Sequence, residues 1–79
     1  MDRKDFYIEV AEIQLKTLAQ IKLERKTSAE RSHIAELGSH KFSGIIDCAI
    51  HDSELDETEF REVSKRIHEL ESKLWNTGN

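Results

Sequence analysis

Proline is absent from the 79 residues, and glycine occurs only at Gly38, Gly44 and Gly78. With the two strongest breakers of regular structure so scarce, the default is a few long helices. A single cysteine, Cys48, excludes an intramolecular disulfide. The longest apolar runs, Phe6-Tyr7-Ile8 and Cys48-Ala49-Ile50, fall far short of the roughly 20 residues that a membrane helix needs. No signal peptide is visible at the N-terminus, and the chain reads as soluble, intracellular and cytoplasmic. Positive charge is also short: 12 Lys and Arg against 16 Asp and Glu leave a net charge of −4. That balance argues against a nucleic-acid binder whose affinity comes from neutralising phosphates.

What remains is a charge-rich chain, 35% Asp, Glu, Lys and Arg and 37% hydrophobic. It carries enough Leu, Ile, Val and Phe to collapse as one small domain spanning 1–79. A chain of this length buries only about 60% of its unfolded surface. Without a disulfide, a metal or a partner subunit, such a core supplies no more than about 3–5 kcal/mol.

Three helices are predicted. Over residues 5–23, Phe6, Tyr7, Ile8, Val10, Ala11, Ile13, Leu15, Leu18 and Ile21 share one very wide apolar arc, with Glu9, Glu12, Lys16 and Gln20 opposite. An arc wider than about 100° implies contact with at least two neighbours, which points to an oligomer. From Glu24 to His33 only Ala29 is apolar. Thr27 and Glu30 have capping-box spacing, so a turn or kink is placed near 25–28, against one continuous solvated helix. Ile34, Gly38, Phe42, Ile45 and Ala49 form the stripe of the second helix, where Gly38 marks either close packing, the favoured reading, or a break. Ser53 and Asp56 are good N-caps, with Glu59 three residues after Asp56. Phe60, Val63, Ile67, Leu70 and Leu74 then give a regular seam of alternating three- and four-residue steps, the clearest pattern in the chain. Glu62 with Arg66 and Glu69 with Lys73 stand at i,i+4 beside it. Trp75 closes this helix, and Asn76 to Asn79 read as a frayed tail.

The elements Ile45-Ile46, Ala49-Ile50, Asp52, Leu55-Asp56 and Glu59-Phe60 make an apolar helix end, an acidic turn, and a helix opening on an acid and an aromatic. From His33 to Trp75 this resembles a helical hairpin of uncharacterised proteins linked to mobile elements in invertebrates. A similar turn occurs in tellurite-resistance-type helical domains. The resemblance implies a local fold and no activity, and residues 1–32 lie outside it.

No chemical site emerges from the residues. Counted from Asp52 as an EF-hand loop, position 6 is Glu57 instead of glycine and position 12 is Val63 instead of Glu. Cys48 and His51, three apart, are only two of the four ligands that a structural zinc needs. The favoured reading is a buried structural cysteine beside an exposed histidine. His33, His40, His51 and His68 read as exposed helix positions, with pH sensing as the alternative. No nucleophile–base pair, paired-carboxylate cleft or glycine-rich phosphate loop is present, so no catalytic, cofactor-binding or metal-binding residue is assigned and no enzyme is expected.

The expectation is therefore all-α: a three-helix bundle or a helical hairpin with a long N-terminal helix, assembled as an oligomer. The helices are placed at about 3–25, 29–51 and 56–75. The expected function is a non-enzymatic protein–protein interaction module that homodimerises through the first helix. Phe6, Tyr7, Val10, Leu18, Ile21 and Trp75 are its interface residues, with a hydrophobic plug over the bundle end as the alternative role for Phe6, Tyr7 and Trp75. The second reading is a small acidic inhibitor or adaptor, of phage or mobile-element type. It would hold a larger protein through Asp52, Glu54, Asp56, Glu57 and Glu59. The helix-start reading of these acids is the simpler one.

Overall fold

The structure, a computed structural model, describes residues 2–78. Among them are three α-helices and no strands: α1 (Arg3–Glu24), α2 (Ser28–Ile50) and α3 (Glu57–Asn76). Each helix packs against the other two, in a body of 42 × 19 × 14 Å. The wide apolar arc of α1 thus has two neighbours within its own chain.

The turn between α1 and α2 is built without proline or glycine. Glu24, Arg25 and Lys26 are good helix formers, yet Arg25 leaves the helix at φ −79°, ψ 141°. What stops α1 is the start of α2. The Thr27 hydroxyl accepts from the Glu30 amide at 3.1 Å while the Glu30 carboxylate accepts from the Thr27 amide at 3.3 Å, a complete capping box. Asp56 and Glu59 repeat the device at the start of α3.

Short connections make α2 antiparallel to both neighbours, so α1 and α3 run parallel. Cross-links at both ends agree: Lys4 pairs with Glu62 at 2.8 Å, and Lys22 reaches the Leu74 carbonyl at 2.7 Å. Glu62 is therefore drawn to α1 instead of to Arg66, which pairs with Glu69 and Glu12. The core runs along the α3 seam of Val63, Ile67, Leu70 and Leu74, met by Ala11 and Leu18 from α1 and Ile34, Phe42 and Ala49 from α2.

Gly38 lies inside α2, which does not break there. A Cβ at this position would overlap the Cδ2 atom of Leu74, and Leu18 Cδ1 lies 3.4 Å away. Close approach of three helices is what requires the glycine. The expected tail is partly ordered: Thr77 donates its hydroxyl to the Lys73 carbonyl at 2.8 Å, and Gly78 turns at φ 77° beside Arg31 and Leu23. Asn79 lies outside the described residues.

Gly38→Ala gains helix propensity but forces a methyl against a fully buried leucine. A net loss of about 1 kcal/mol is expected in urea unfolding, overpacking outweighing propensity; unchanged or increased stability would mean that Leu74 can yield.

Candidate functional site

At the end where α1 begins, Arg3 and Tyr7 stand one helical turn apart and both face the α2–α3 connection. The Tyr7 hydroxyl donates to Oδ2 of Asp52 at 2.7 Å. Arg3 donates to the same oxygen through Nη2 at 2.7 Å and Nε at 2.9 Å, and the Glu54 amide donates to Oδ1 at 2.9 Å. Asp52 is only 6% exposed. The Tyr7 hydroxyl, the Glu54 amide and the Arg3 guanidinium all favour its ionised form and hold its pKa at about 2. The same hydrogen bond pushes the Tyr7 phenol above its ordinary value. Asp52 is thus a fixed acceptor that ties the connection to α1, with no proton to exchange near neutrality.

At the opposite end Lys22, 1% exposed, points inward one turn beyond Leu18. Its Nζ donates to the carbonyls of Leu74 at 2.7 Å and Trp75 at 2.8 Å, two of the acceptors that the end of α3 leaves without helical partners. Burial, and then the nearby Arg31 charge, push its pKa below the ordinary lysine value. Even a neutral amine keeps two N–H groups, enough for both carbonyls. Arg31 donates through Nη1 to the Arg25 carbonyl at 3.2 Å, and its Nε is buried without a partner among the described residues. Lys22 was not legible as a special residue, although its spacing from Ala11 and Leu18 places it on their face. A shallow depression of about 330 Å³ nearby is lined by Arg25, Ala29, Glu30, His33 and Ile34.

The third feature is an outer face. Glu12 of α1 reaches Arg66 of α3, and Ser39 of α2 accepts from Trp75 of α3 at 2.9 Å. The opposite flanks of α1 and α2 therefore share one side of the molecule, away from α3. Phe6, Val10 and Ile13 lie there on α1, and Leu37, Gly44 and Cys48 lie there on α2, at matching i, i+4, i+7 and i+7, i+11 spacings. Phe6 is 42% and Ile13 58% exposed, with Val10 half-buried between them. Phe6 stacks edge-on against Tyr7, with ring centroids 5.6 Å apart.

Of the six interface residues expected from sequence, Leu18 is buried inside the chain and offers no surface, and Tyr7 is taken up by Asp52. Val10 and Ile21 are half-buried, and Phe6 and Trp75 are exposed. Trp75 lies across the α2–α3 groove, far from Phe6. The acidic segment is largely engaged: Asp52 as above, Asp56 and Glu59 in the α3 cap, Glu57 with Arg61 at 2.6 Å, and Glu54 near Arg3 at 3.3 Å. Cys48 is exposed, contrary to the expected buried cysteine, because Ala49 takes the core-facing position and leaves its neighbour a third of a turn off the seam. No group of three or more His, Cys, Asp and Glu that could hold a metal ion occurs among the described residues. No helix there is long and apolar enough to cross a membrane.

No protein-family model, curated protein or solved structure matches this chain.

Two expectations follow from the polar ends. Since the Asp52 pKa is depressed when folded, its contribution is present above about pH 4 and lost as pH falls towards 2. Thermal melts of Asp52→Asn should therefore lie below wild type at neutral pH and converge with it near pH 2; a gap that stays constant with pH would show that ionisation of Asp52 is irrelevant. Lys22→Met keeps most of the volume but leaves two carbonyls without their donor. A loss of about 1–3 kcal/mol in urea unfolding is expected, and an equal or more stable variant would show that the cap contributes nothing.

Proposed function

We propose that this chain is a non-enzymatic helical protein–protein interaction module that pairs with a second copy of itself through the outer face of α1. The observation that carries this reading is the exposure of Phe6 and Ile13, two turns apart on one flank of a helix whose opposite side is already buried in the bundle. Aromatic anchors beside aliphatic side chains are the usual energetic centre of an interface. Removing one such residue from water contributes about 1.5–3 kcal/mol. The non-enzymatic part rests on Asp52 and Lys22, whose side chains are both fixed on structural partners. An exposed free thiol at Cys48 suits a reducing compartment, and on that ground we place the protein in the cytoplasm.

The second reading, an acidic inhibitor or adaptor acting through residues 52–62, has less to draw on, because most of those carboxylates already cap α3 or pair with Arg3, Lys4 and Arg61.

Light scattering behind size exclusion at several concentrations tests the first reading. A mass that rises from monomer to dimer at roughly micromolar concentration is expected. Ile13→Arg, at a position 58% exposed, should return the protein to monomer with its helical circular dichroism intact. A wild type that stays monomeric throughout would refute self-pairing.

A further inference from the structure

Two stripes with the same step pattern lie side by side on the outer face. One is Phe6, Val10, Ile13 and Thr17 on α1, the other Leu37, Lys41, Gly44 and Cys48 on α2, and each rises by four, three and four residues. The α1 stripe is bulky, with Phe6 42% and Ile13 58% exposed. The α2 stripe is low over its last two members, a glycine and an exposed thiol. Nothing within the chain requires Gly44: a Cβ there would meet nothing within 4 Å, and alanine is the better helix former.

Leu18 against Gly38 and Arg3 against Asp52 fix the antiparallel register of α1 and α2. In that register Ile13 is level with residues 42 and 43, and Gly44 with the gap between Val10 and Ile13. Cys48 is level with residues 7 and 8, and Leu37 with residues 18 and 19. A second copy can meet this face about a two-fold axis in the plane of contact, running either across the helices or along them. An axis across them stacks α1 on α1 and α2 on α2. Because α1 and α2 are fixed in one layer, the bulky stripes then hold the two layers apart and leave a void over Gly44 and Cys48. An axis along the helices keeps every level unchanged and stacks each α1 on the partner's α2. Bulk then meets recess on both sides at once. Neighbouring helices in the contact are all antiparallel, the favourable order of their dipoles.

We infer that the occupant of this face is a second copy of the chain, and that α1 of each copy seats on α2 of the other. This rests on the self-pairing reading above and adds which helix receives α1. Val10 and Ile13 straddle the partner's Gly44, Phe6 lies over the partner's Cys48, and Thr17 lies beside the partner's Leu37. Lys41 is the one charge in the two stripes; its stem lies along apolar surface while its ammonium stays in water. α1 is about 33 Å long at 1.5 Å per residue, and the body is 19 Å wide. A face of that size covers about 600 Å² per copy, at the lower end of specific interfaces, which suits a dimer that forms in the micromolar range.

Native mass spectrometry and light scattering of two variants, alone and mixed, test this seating. Gly44→Leu fills the recess and is expected to weaken pairing of the pure variant about tenfold. Ile13→Ala removes the bulk that the recess receives. When the two are mixed in equal amounts, one contact of the mixed pair keeps Ile13 against Gly44, and the other sets the new leucine into the room left by the isoleucine. The mixed pair is therefore expected above its statistical share, binding about tenfold more tightly than Gly44→Leu with itself. Both positions are exposed, and circular dichroism confirms that each variant is folded. If the wild type dimerises but the mixed pair shows no excess, or Gly44→Leu pairs as tightly as wild type, α1 does not seat on the partner's α2, while self-pairing stands. If the wild type is monomeric, self-pairing falls and this arrangement with it.

Discussion

Four side chains of α3, Val63, Ile67, Leu70 and Leu74, are almost wholly removed from water, and the placement of the other two helices follows from covering them. A single helix cannot close over a seam of that width, so α1 and α2 approach it from two sides. Close approach at Leu74 excludes even a methyl group from position 38 of α2. The same demand turns α1 so that Ala11 and Leu18 face inward, and it carries Lys22 inward with them. A lysine in that position is tolerable because the parallel alignment of α1 and α3 brings its amine to the end of α3, where unpaired carbonyls need donors and the helix dipole favours a cation.

The two polar clusters act as end-stops on this core. Asp52 gathers Tyr7 and Arg3 from α1 and the Glu54 amide from the connection, closing one end. Lys22 closes the other. Between them the register of the helices is held along nearly the full length of the bundle. In both clusters the ionisable side chains, Asp52 and Lys22, are fixed on structural partners.

A core this thin has a consequence for the surface. With α1 covering α3 through one flank and α2 through another, part of its wide apolar arc is left over, and Phe6 and Ile13 remain in contact with water. The arc thus divides between folding and an outward face. Its breadth by itself is satisfied largely within one chain, and Ile13, in the middle of the helix and away from any chain end, is left 58% exposed.

The amino-acid sequence by itself determined the helices and their limits. The absence of proline, the seam from Phe60 to Leu74, and the capping boxes at Thr27 and Asp56 are local signals, each acting within a few residues, so they can be read along the chain. Gly38 as a point of close packing was legible for the same reason, since it stands on the buried stripe. What only the tertiary structure decided depends on residues far apart in sequence. The parallel alignment of α1 with α3 sends Lys22 to the carbonyls of Leu74 and Trp75 and diverts Glu62 from Arg66 to Lys4. The folding of the α2–α3 connection onto α1 turns Asp52 from a member of an acidic run into the partner of Tyr7 and Arg3. Which flank of α1 is inside and which outside, with Leu18 on one and Ile13 on the other, is set by where α2 and α3 lie. Periodicity along one helix measures the width of an apolar arc, but only the neighbours determine how much of it they cover.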